Sequence, residues 1–578
     1  MKKLLTLLLI LVISCTVNHN KKESNFVTVF EKSKGTQTAT YDETIKFYKD
    51  LAETYPEIDI RAMGTTDSGK PLHIVTLNPD KEFDFETIRK TKRILLINNG
   101  IHPGEPDGID ATMMLFRDIA QGKIDVPKST VLVTIPIYNI GGSLNRNSTS
   151  RTNQNGPESY GFRGNARNYD LNRDFIKCDT KNARTFAQIF HLVQPDVFID
   201  NHVSDGADYQ YTLTHLFTQH DKLGGALGDF IHDKMMPELE QKLSAKHWDI
   251  TPYVNVFNRT PETGFSQFMD YPRYSTGYTT LWNVMGMMVE THMLKPFKQR
   301  VEGTYELMKS MIEIVEVDGD EIKSLRDKAF KTAPEATTYA LDWVVDTTKS
   351  STLHFKGFEG KMIPSEITGA QRLKYDRNKP FTKDVTYQDY FKPKIEVEVP
   401  KAYVIPQGWW NVIDLLKLNG IAMQPLQKDS TITVQSYKIK SYDTRRQPYE
   451  GHYQHYNTEV TLETKDMLFS KGDYVVYTKQ NGFRYLLATL EPRAPDSFFN
   501  WNFFDTILQQ KEGFSPYVWE DMAKQFLEAH PEVQKAFDEK KATDTTFANN
   551  WYAQLDWIFT QSDHYEKAHL QYPVYRMN

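Results

Sequence analysis

In the first half of the chain, unbroken apolar runs alternate with stretches whose apolar residues recur at helical spacing. Unbroken runs rich in Ile, Val and Leu are typical of strands buried on both faces, and they occupy residues 72–77, 93–98, 131–138, 196–200 and 285–290. Helical spacing is found in residues 108–119, 183–193, 227–243 and 297–315. The alternation predicts an α/β fold with a mixed, mostly parallel sheet flanked by helices.

Around residue 325 the pattern changes. Residues 324–338 are mostly polar and charged, and shorter alternating segments follow at 395–399, 431–439 and 473–478. The stretch 402–424 has the pattern of a strand, a helix and a strand, and helical spacing returns at 514–537 and 549–562. We therefore predict a C-terminal α+β accessory region over 335–578, whose sequence assigns it no chemistry.

The composition describes a globular protein without a basic surplus. Of 578 residues, 39% are hydrophobic and 25% are charged, which is enough apolar material for buried cores. The net charge is -6, whereas a broad nucleic-acid surface needs clustered Lys and Arg. We therefore expect no nucleic-acid partner.

The first residues have the pattern of an export signal. Lys2 and Lys3 precede an apolar run over 4–13 that is too short to span a bilayer. The run ends in Val-Ile-Ser-Cys at 12–15, which resembles a bacterial lipobox. We predict a lipoprotein signal peptide over 1–15 with Cys15 lipidated, followed by a tether over 16–36. This lipid would anchor the protein to a membrane of the bacterial cell envelope, most simply the outer membrane.

A histidine and a carboxylate follow the run 93–98 on a short loop. The tight turn His102-Pro103-Gly104-Glu105 lets both side chains reach one point, and His202 follows the run 196–200 in the same way. The carboxyl ends of sheet strands converge on one crevice. Together these residues predict a catalytic zinc site with its fourth position open to water. Each motif alone is also compatible with an ordinary polar loop.

Four motifs, in their order along the chain, resemble those of the zinc carboxypeptidase family. They are His102-Pro103-Gly104-Glu105, Asp170-Leu171-Asn172-Arg173, His202 and Val289-Glu290-Thr291-His292. The resemblance implies a zinc carboxypeptidase-like catalytic domain, which we place at 37–322. It also implies one Zn2+ per chain, held by His102, Glu105 and His202, and peptide substrates that end in a free carboxylate.

The same resemblance implies roles for the residues around the metal. Asn172 and Arg173 would grip the substrate's terminal carboxylate, because a guanidinium binds a carboxylate through two parallel hydrogen bonds. Asp170 would hydrogen-bond the far nitrogen of a zinc-bound imidazole, that of His102 first of all, and hold its tautomer. Glu290 would take a proton from the zinc-bound water during attack and return it to the leaving amine.

Two further roles stay open between neighbouring residues. An arginine is expected to stabilise the oxyanion, and the candidates are Arg146, Arg151, Arg163 and Arg167. Arg163 is preferred, because Arg163-Gly164-Asn165 precedes Asp170 as in many bacterial members of the family. A mobile tyrosine is expected ahead of Glu290, and the candidates are Tyr271, Tyr274 and Tyr278. Tyr274 is preferred, because a glycine-containing turn follows it.

Other functions are compatible with the same residues. A zinc-dependent N-deacylase or amidase, or a hydrolase of peptidoglycan stem peptides, would use the same ligands, and a non-catalytic envelope binding protein could keep the fold alone. Thr279, Thr280 and Leu281, which the resemblance places near the side-chain pocket, carry no charge, so we expect apolar or aromatic terminal residues. The function expected from the sequence is that of a zinc metallocarboxypeptidase.

Overall fold

The computed structural model describes residues 26–578. The predicted signal peptide with Cys15 and the first part of the predicted tether lie outside the described residues, so they stay predictions. The described end of the tether segment carries a short helix, Val29–Lys32, whose Phe30 is buried against Phe297. Within the described part of the chain, no helix combines the length and the apolar character that crossing a membrane requires.

Strands and helices alternate through the first part of the described chain. Its strands are β1 (Ile58–Thr65), β2 (Pro71–Leu77), β3 (Arg93–Asn98), β4 (Thr130–Ile135), β5 (Val197–Ser204), β6 (Leu213–Phe217), β7 (Ile250–Pro252), β8 (Phe265–Ser266) and β9 (Met285–His292). Its helices are α1 (Val29–Lys32), α2 (Tyr41–Thr54), α3 (Phe85–Thr91), α4 (Asp107–Ala120), α5 (Ile140–Leu144), α6 (Lys181–Val193), α7 (His220–Leu223), α8 (Gly225–Phe230), α9 (Met236–Ala245), α10 (Ser275–Thr280) and α11 (Phe297–Thr332).

Eight of these strands form one mixed sheet in the order β1-β2-β4-β3-β5-β9-β6-β7. The four central strands β4, β3, β5 and β9 are parallel to one another, while β2 and β6 join them in antiparallel pairing. Every residue of β3, β4 and β5 is buried, which is why the strands are mostly apolar up to the polar residues at the carboxyl ends of β3 and β5. The predicted mixed, mostly parallel sheet flanked by helices is confirmed.

Three adjacent parallel strands end at the same edge of this sheet. Asn98 of β3 lies opposite Asp200 of β5, and His202 of β5 lies opposite Glu290 of β9. β3 leads directly into the loop that carries His102. β5 and β9 continue beyond their predicted ends, so His202 and Glu290 lie within the last three residues of their strands. This edge positions the candidate site.

Helix α11 extends farther than the apolar pattern indicates. The spacing predicts a helix over 297–315 and a boundary in the polar stretch 324–338, whereas the helix continues to Thr332. The helix is therefore longer than the predicted 297–315, and the apolar spacing did not show this because the added turns bury only a narrow face that includes Ile322 and Arg326. Arg326 is held there by Asp196, to which its Nη1 donates at 2.5 Å.

The C-terminal region combines long hairpins with helices. Its strands are β10 (Thr338–Val345), β11 (Ser351–Pro364), β12 (Gln371–Gln388), β13 (Phe391–Glu398), β14 (Ala402–Ile405), β15 (Gln424–Pro425), β16 (Ser430–Thr444), β17 (His455–Phe469), β18 (Tyr474–Tyr477) and β19 (Tyr575–Met577). Its helices are α12 (Trp410–Leu418), α13 (Phe483–Leu490), α14 (Pro516–Ala529), α15 (Pro531–Thr543), α16 (Thr545–Ala548) and α17 (Trp551–Gln561). The predicted α+β character of this region is confirmed.

The C-terminal region packs on the first part of the chain through a continuous core. One hydrophobic cluster contains residues from Phe30 to Val574. Strand β12 also pairs in parallel with β8, with Tyr387 opposite Phe265. The domain bounds 37–322 and 335–578 stay predictions, and the two segments share buried side chains and a sheet.

Candidate metal centre and substrate cavity

His102, Glu105 and His202 meet at the carboxyl edge of the central sheet. Nδ1 of His102 lies 3.3 Å from Oε1 of Glu105, and Nδ1 of His202 lies 3.2 Å from Oε2 of Glu105. All three residues are buried. Their candidate ligand atoms lie within 4.8 Å of one another. The structure therefore brings together the three residues that the sequence predicts as metal ligands.

The chemistry of these three side chains fits a metal ion. Nδ1 of His102 is buried and makes no hydrogen bond to any residue of 26–578, and such an unsatisfied group costs free energy unless another partner binds it. Two imidazole nitrogens and one carboxylate form the ligand set of catalytic zinc sites, in which three protein ligands leave one position open. These residues can therefore hold a divalent metal ion.

The loop between the first two ligands is compact because Gly104 has no side chain. A Cβ at Gly104 would lie 2.6 Å from Cδ of Arg151 and 3.1 Å from the carbonyl oxygen of Gly161. Glycine therefore allows the loop to approach the segment that carries Arg151. This close approach lets Nη1 of Arg151 donate to Oε1 of Glu105 at 2.7 Å.

A carboxylate holds the outer nitrogen of each histidine. Nε2 of His102 lies 2.8 Å from Oδ1 of Asp170, and Nε2 of His202 lies 2.9 Å from Oδ2 of Asp200. Such partners fix the ring orientation and leave both Nδ1 atoms for a metal. Asp170 lies where the resemblance implies. Asp200 was not predicted, although its place two residues before His202 on one strand puts both side chains on the same face.

Neighbouring arginine and histidine side chains keep the carboxyl groups of Glu105 and Asp170 ionised. Burial on its own raises the pKa of a carboxyl group, but the Arg151 guanidinium and His102 hold the pKa of Glu105 well below its usual range. Against the same effect of burial, His102 and Arg163 lower the pKa of Asp170. Both groups are therefore anionic at neutral pH, which is the state that a metal ligand and its outer partner require.

A cavity of about 240 Å³ opens beside the three ligands. The residues that the sequence predicts for catalysis and substrate binding also line it, and they are Arg163, Asn172, Arg173, Tyr274 and Glu290. The candidate metal ligands and the predicted substrate-binding groups therefore share one space.

Glu290 reaches this cavity from β9. Burial raises the pKa of its carboxyl group to about 7, with His202 opposing the rise and Glu105 adding to it. A carboxyl group with this pKa exchanges protons readily near neutral pH, which suits a general base that must also act as an acid.

The short 3₁₀ turn Leu171–Arg173 presents the carboxylate-binding candidates. Oδ1 of Asp170 caps the turn by accepting from the backbone N–H of Asn172 at 2.9 Å. The Arg173 guanidinium lies over the ring of Tyr274, 4.6 Å from its centroid, and Nη1 of Arg173 donates to the carbonyl oxygen of Asn172 at 2.8 Å. These contacts hold a planar positive group at the cavity, where it can pair with a substrate carboxylate.

The structure separates the four arginine candidates. Arg163 lines the cavity, and its Nε donates to Oδ2 of Asp170 at 2.9 Å. Arg151 donates to the carboxylate of Glu105. Arg146 and Arg167 donate to backbone carbonyl oxygens, and neither lines the cavity. Of the four candidates, the preferred Arg163 is therefore the one that lines the cavity.

The three tyrosine candidates have different environments. Tyr274 lines the cavity. Tyr271 donates its hydroxyl to Oδ1 of Asp342 at 2.7 Å, and the fully buried Tyr278 donates to Oδ1 of Asn419 at 2.6 Å. Among these three, the fold therefore brings the preferred Tyr274 to the site.

The apolar wall of the cavity comes from residues that were not predicted. Leu216, Phe268 and Met288 line it, and Leu216 and Met288 are neighbours across the β6–β9 pair. Residues 279–281 are buried in the core and do not line the cavity. Although the resemblance places this stretch near the side-chain pocket, other residues therefore form the border of the cavity. The available signal was spacing on β9, where Met288 lies two residues before Glu290 and therefore on the same face of the strand.

Known proteins resemble this chain over most of its length. No protein-family model matches it. It is 22% identical over 497 residues to carboxypeptidase 2 of Trichophyton rubrum, a match that covers 81% of this chain and 84% of that protein. A probable carboxypeptidase 2 of Arthroderma benhamiae is 22% identical over 498 residues, covering 80% of this chain and 86% of the relative.

Solved structures of carboxypeptidases are also similar. A metallo-carboxypeptidase from Burkholderia cenocepacia has a TM-score of 0.37 and 15% identity, covering 49% of this chain and 70% of that one. A metallo-carboxypeptidase from Pseudomonas aeruginosa has a TM-score of 0.36 and 14% identity, covering 49% of this chain and 70% of that one.

The sequence similarity to the fungal proteins is not confined to the metal-binding part. A match that covers 81% of the chain is longer than the segment 37–322 and includes much of the C-terminal region. The motifs that carry the resemblance also converge on one cavity in the fold. The chain is therefore similar to carboxypeptidases along most of its length, and its resemblance to the zinc carboxypeptidase family is confirmed.

Proposed function

We propose that this protein is a zinc-dependent metallocarboxypeptidase that removes the C-terminal residue of peptides. One observation carries the proposal: a buried His-Glu-His cluster, a carboxyl group with a pKa of about 7 and an Asn-Arg pair all border one cavity. A protein that only binds ligands does not need this combination. The names of the fungal relatives support the same activity.

The metal would be held by His102, Glu105 and His202. Bound there, zinc would supply a Lewis acid that polarises the scissile carbonyl and makes a nearby water more acidic. Asp170 and Asp200 orient the two imidazoles through their outer nitrogens.

Proton transfer is assigned to Glu290. Its carboxylate accepts a proton from the attacking water and returns that proton to the nitrogen of the leaving residue. Arg163 lies at the cavity, and its Nη1 is 3.6 Å from Oε1 of Glu105. This places its charge beside the candidate metal ligands, where it would stabilise the carbonyl oxygen as that oxygen becomes negative.

Substrate selection is assigned to the Asn172 and Arg173 pair. Their donors match a free terminal carboxylate, which an internal peptide segment does not offer, so cleavage is limited to the last residue. The wall formed by Leu216, Phe268 and Met288 favours an apolar terminal side chain.

The test compares one peptide with a free and with an amidated C-terminus, in the presence of zinc. We expect kcat/KM to be at least about 100-fold higher for the free form, because amidation removes the group that the Arg173 pocket pairs with. Arg173→Ala should lose this preference, while Arg167→Ala, a neighbouring arginine that does not line the cavity, should keep it.

Two outcomes would contradict the proposal. Equal cleavage of both peptides would remove the carboxypeptidase assignment. Hydrolysis of N-acyl amino acids without hydrolysis of peptides would favour the N-deacylase alternative.

We also propose that the protein is attached to the bacterial cell envelope through lipidated Cys15. Support comes from the lipobox-like residues 12–15 that follow the short apolar run. In a bacterial host, Cys15→Ser should move the protein from the membrane fraction to the soluble fraction, and an unchanged distribution would contradict the anchor.

A further inference from the structure

A tight turn of the C-terminal region reaches the carboxylate-binding residues. It lies between β16 and β17 and is closed by Tyr449 and His452, whose backbone N–H groups donate to each other's carbonyl oxygens at 2.7 and 3.1 Å. Its two central residues, Glu450 and Gly451, have φ values of 50° and 80°. Positive φ at both central positions is the signature of a type I′ hairpin turn, which is rigid and short.

Each of three successive turn residues contacts the segment around the Asn172 and Arg173 pair. Oε2 of Glu450 accepts from the backbone N–H of Asp170 at 2.8 Å. Gly451 lies so close to Tyr169 that a Cβ there would be 2.6 Å from the tyrosine hydroxyl. Nε2 of His452 lies 2.7 Å from Oδ2 of Asp179. The turn therefore holds this segment on both sides of the pair.

The turn stands on a buried base. The ring of Tyr449 stacks on Trp501, with centroids 6.0 Å apart and planes at 18°. Trp501 is fully buried, and its Nε1 donates to Oδ1 of Asp496 at 3.0 Å. Oδ1 of Asp496 also lies 2.9 Å from Nη2 of Arg273, the residue that precedes Tyr274 in the chain. The base therefore fixes the turn relative to the first part of the chain.

The position of Asp170 matters to both halves of the candidate site. Its Oδ1 holds His102 and caps the turn that carries Asn172, and its Oδ2 holds Arg163. A shift of the Asp170 backbone would therefore move a metal ligand, the oxyanion candidate and the carboxylate grip together. The Asp170 backbone itself is held by Glu450, whose carboxylate accepts a hydrogen bond from the Asp170 N–H.

We propose that Glu450 is a positioning residue of the active site, through which the C-terminal region sets the geometry of the Asp170-to-Arg173 segment. Its effect on catalysis rests on the proposed carboxypeptidase function, whereas its effect on the segment does not. The fungal relatives match 80% or more of the chain, so the region that carries Glu450 falls within a similarity that extends beyond the metal-binding part.

Hydrogen exchange in the full-length protein tests the positioning directly. Glu450→Ala leaves the Asp170 amide without its acceptor, so peptides covering 169–173 should exchange at least about tenfold faster. Glu450→Gln keeps an acceptor oxygen and should stay close to wild type. Arg446→Ala, an exposed position on the same connection, should also leave exchange unchanged. Unchanged exchange in Glu450→Ala would overturn the proposal.

Kinetics with a peptide that has a free C-terminus supplies the second readout. Glu450→Ala should raise KM about tenfold with a smaller change in kcat, because the grip on the carboxylate loosens first, and Glu450→Gln should restore KM. A Gln variant as impaired as the Ala variant, or a fall in kcat alone, would contradict positioning through a hydrogen bond. If wild type itself hydrolyses nothing, the proposed function fails, and the exchange result still decides the role of Glu450.

Discussion

Replacing Asp200 with Asn is expected to weaken zinc binding without unfolding the protein. Asp200 is fully buried, and its Oδ2 lies 2.9 Å from Nε2 of His202 and 2.5 Å from Oγ of Ser275. Its Oδ1 accepts from Nδ2 of Asn98 at 3.2 Å. Asn has the same shape and keeps one acceptor oxygen, but it loses the negative charge that orients the imidazole and makes it a better ligand.

The magnitude follows from two opposing effects. Loss of an outer partner of a metal-ligating histidine typically lowers metal affinity about 10–100-fold, or about 1.4–2.7 kcal/mol. Burial lowers the pKa of His202, but Asp200 raises it well above its ordinary value. A metal ion must therefore displace a proton from His202 that Asp200 also stabilises. This competition offsets part of the loss, and we expect a decrease at the lower end, about tenfold.

Competition with a chelator of known affinity at pH 8 measures the effect. Asp229→Asn, at an exposed position, is the matched control and should bind zinc as wild type does. Thermal unfolding of the metal-free proteins checks that both variants are folded. An Asp200→Asn protein with wild-type zinc affinity would refute the assigned geometry, as would an equal loss in the control.

Two further predictions concern stability, both measured by urea unfolding. Burial raises the pKa of Asp110 from 3.8 to about 7. The contribution of this carboxyl group to the free energy of unfolding is therefore present below about pH 4 and is lost as the pH rises through 7. Between pH 4 and pH 8, the free energy of unfolding of Asp110→Asn should rise relative to that of wild type by up to about 4 kcal/mol. A difference that does not change with pH would contradict this. A Cβ at Gly108 would lie 2.4 Å from Cβ of Asn201, so Gly108→Ala should lower the free energy of unfolding by about 2–3 kcal/mol. A Cβ at Gly513 would enter open space, so Gly513→Ala should stay within about 0.5 kcal/mol of wild type. Equal stability of the two glycine variants would show that the Gly108 site relaxes freely.

Local signals predicted the central sheet and the metal ligands. Strand β3 has the bounds 93–98 that its apolar run predicts. Because β3 and β5 are adjacent and parallel, the residues at their carboxyl ends had to converge, and His102 and His202 do so. The prediction of the sheet is confirmed because burial on both faces of a parallel strand leaves an unbroken apolar run in the sequence, and the three predicted ligands meet because they follow such runs.

Contacts between distant segments left no local signal. Strands β11 and β12 form a ribbon that is largely exposed, so they carry no apolar run that would reveal them. Glu450 lies 280 residues from its partner Asp170. Nothing in its neighbourhood indicates an active-site role, because that role depends on how two regions pack.

The central claim is that one metal and one carboxylate base act together in the cavity. The measurement is zinc content and peptide hydrolysis of wild type and Glu290→Gln, side by side. Since general-base catalysis contributes about 10²–10⁴-fold, we expect both proteins to bind one zinc ion per chain and the variant to lose at least about 100-fold in kcat. A Glu290→Gln protein with wild-type turnover, or a wild-type protein that hydrolyses peptides after zinc is removed, would contradict the account.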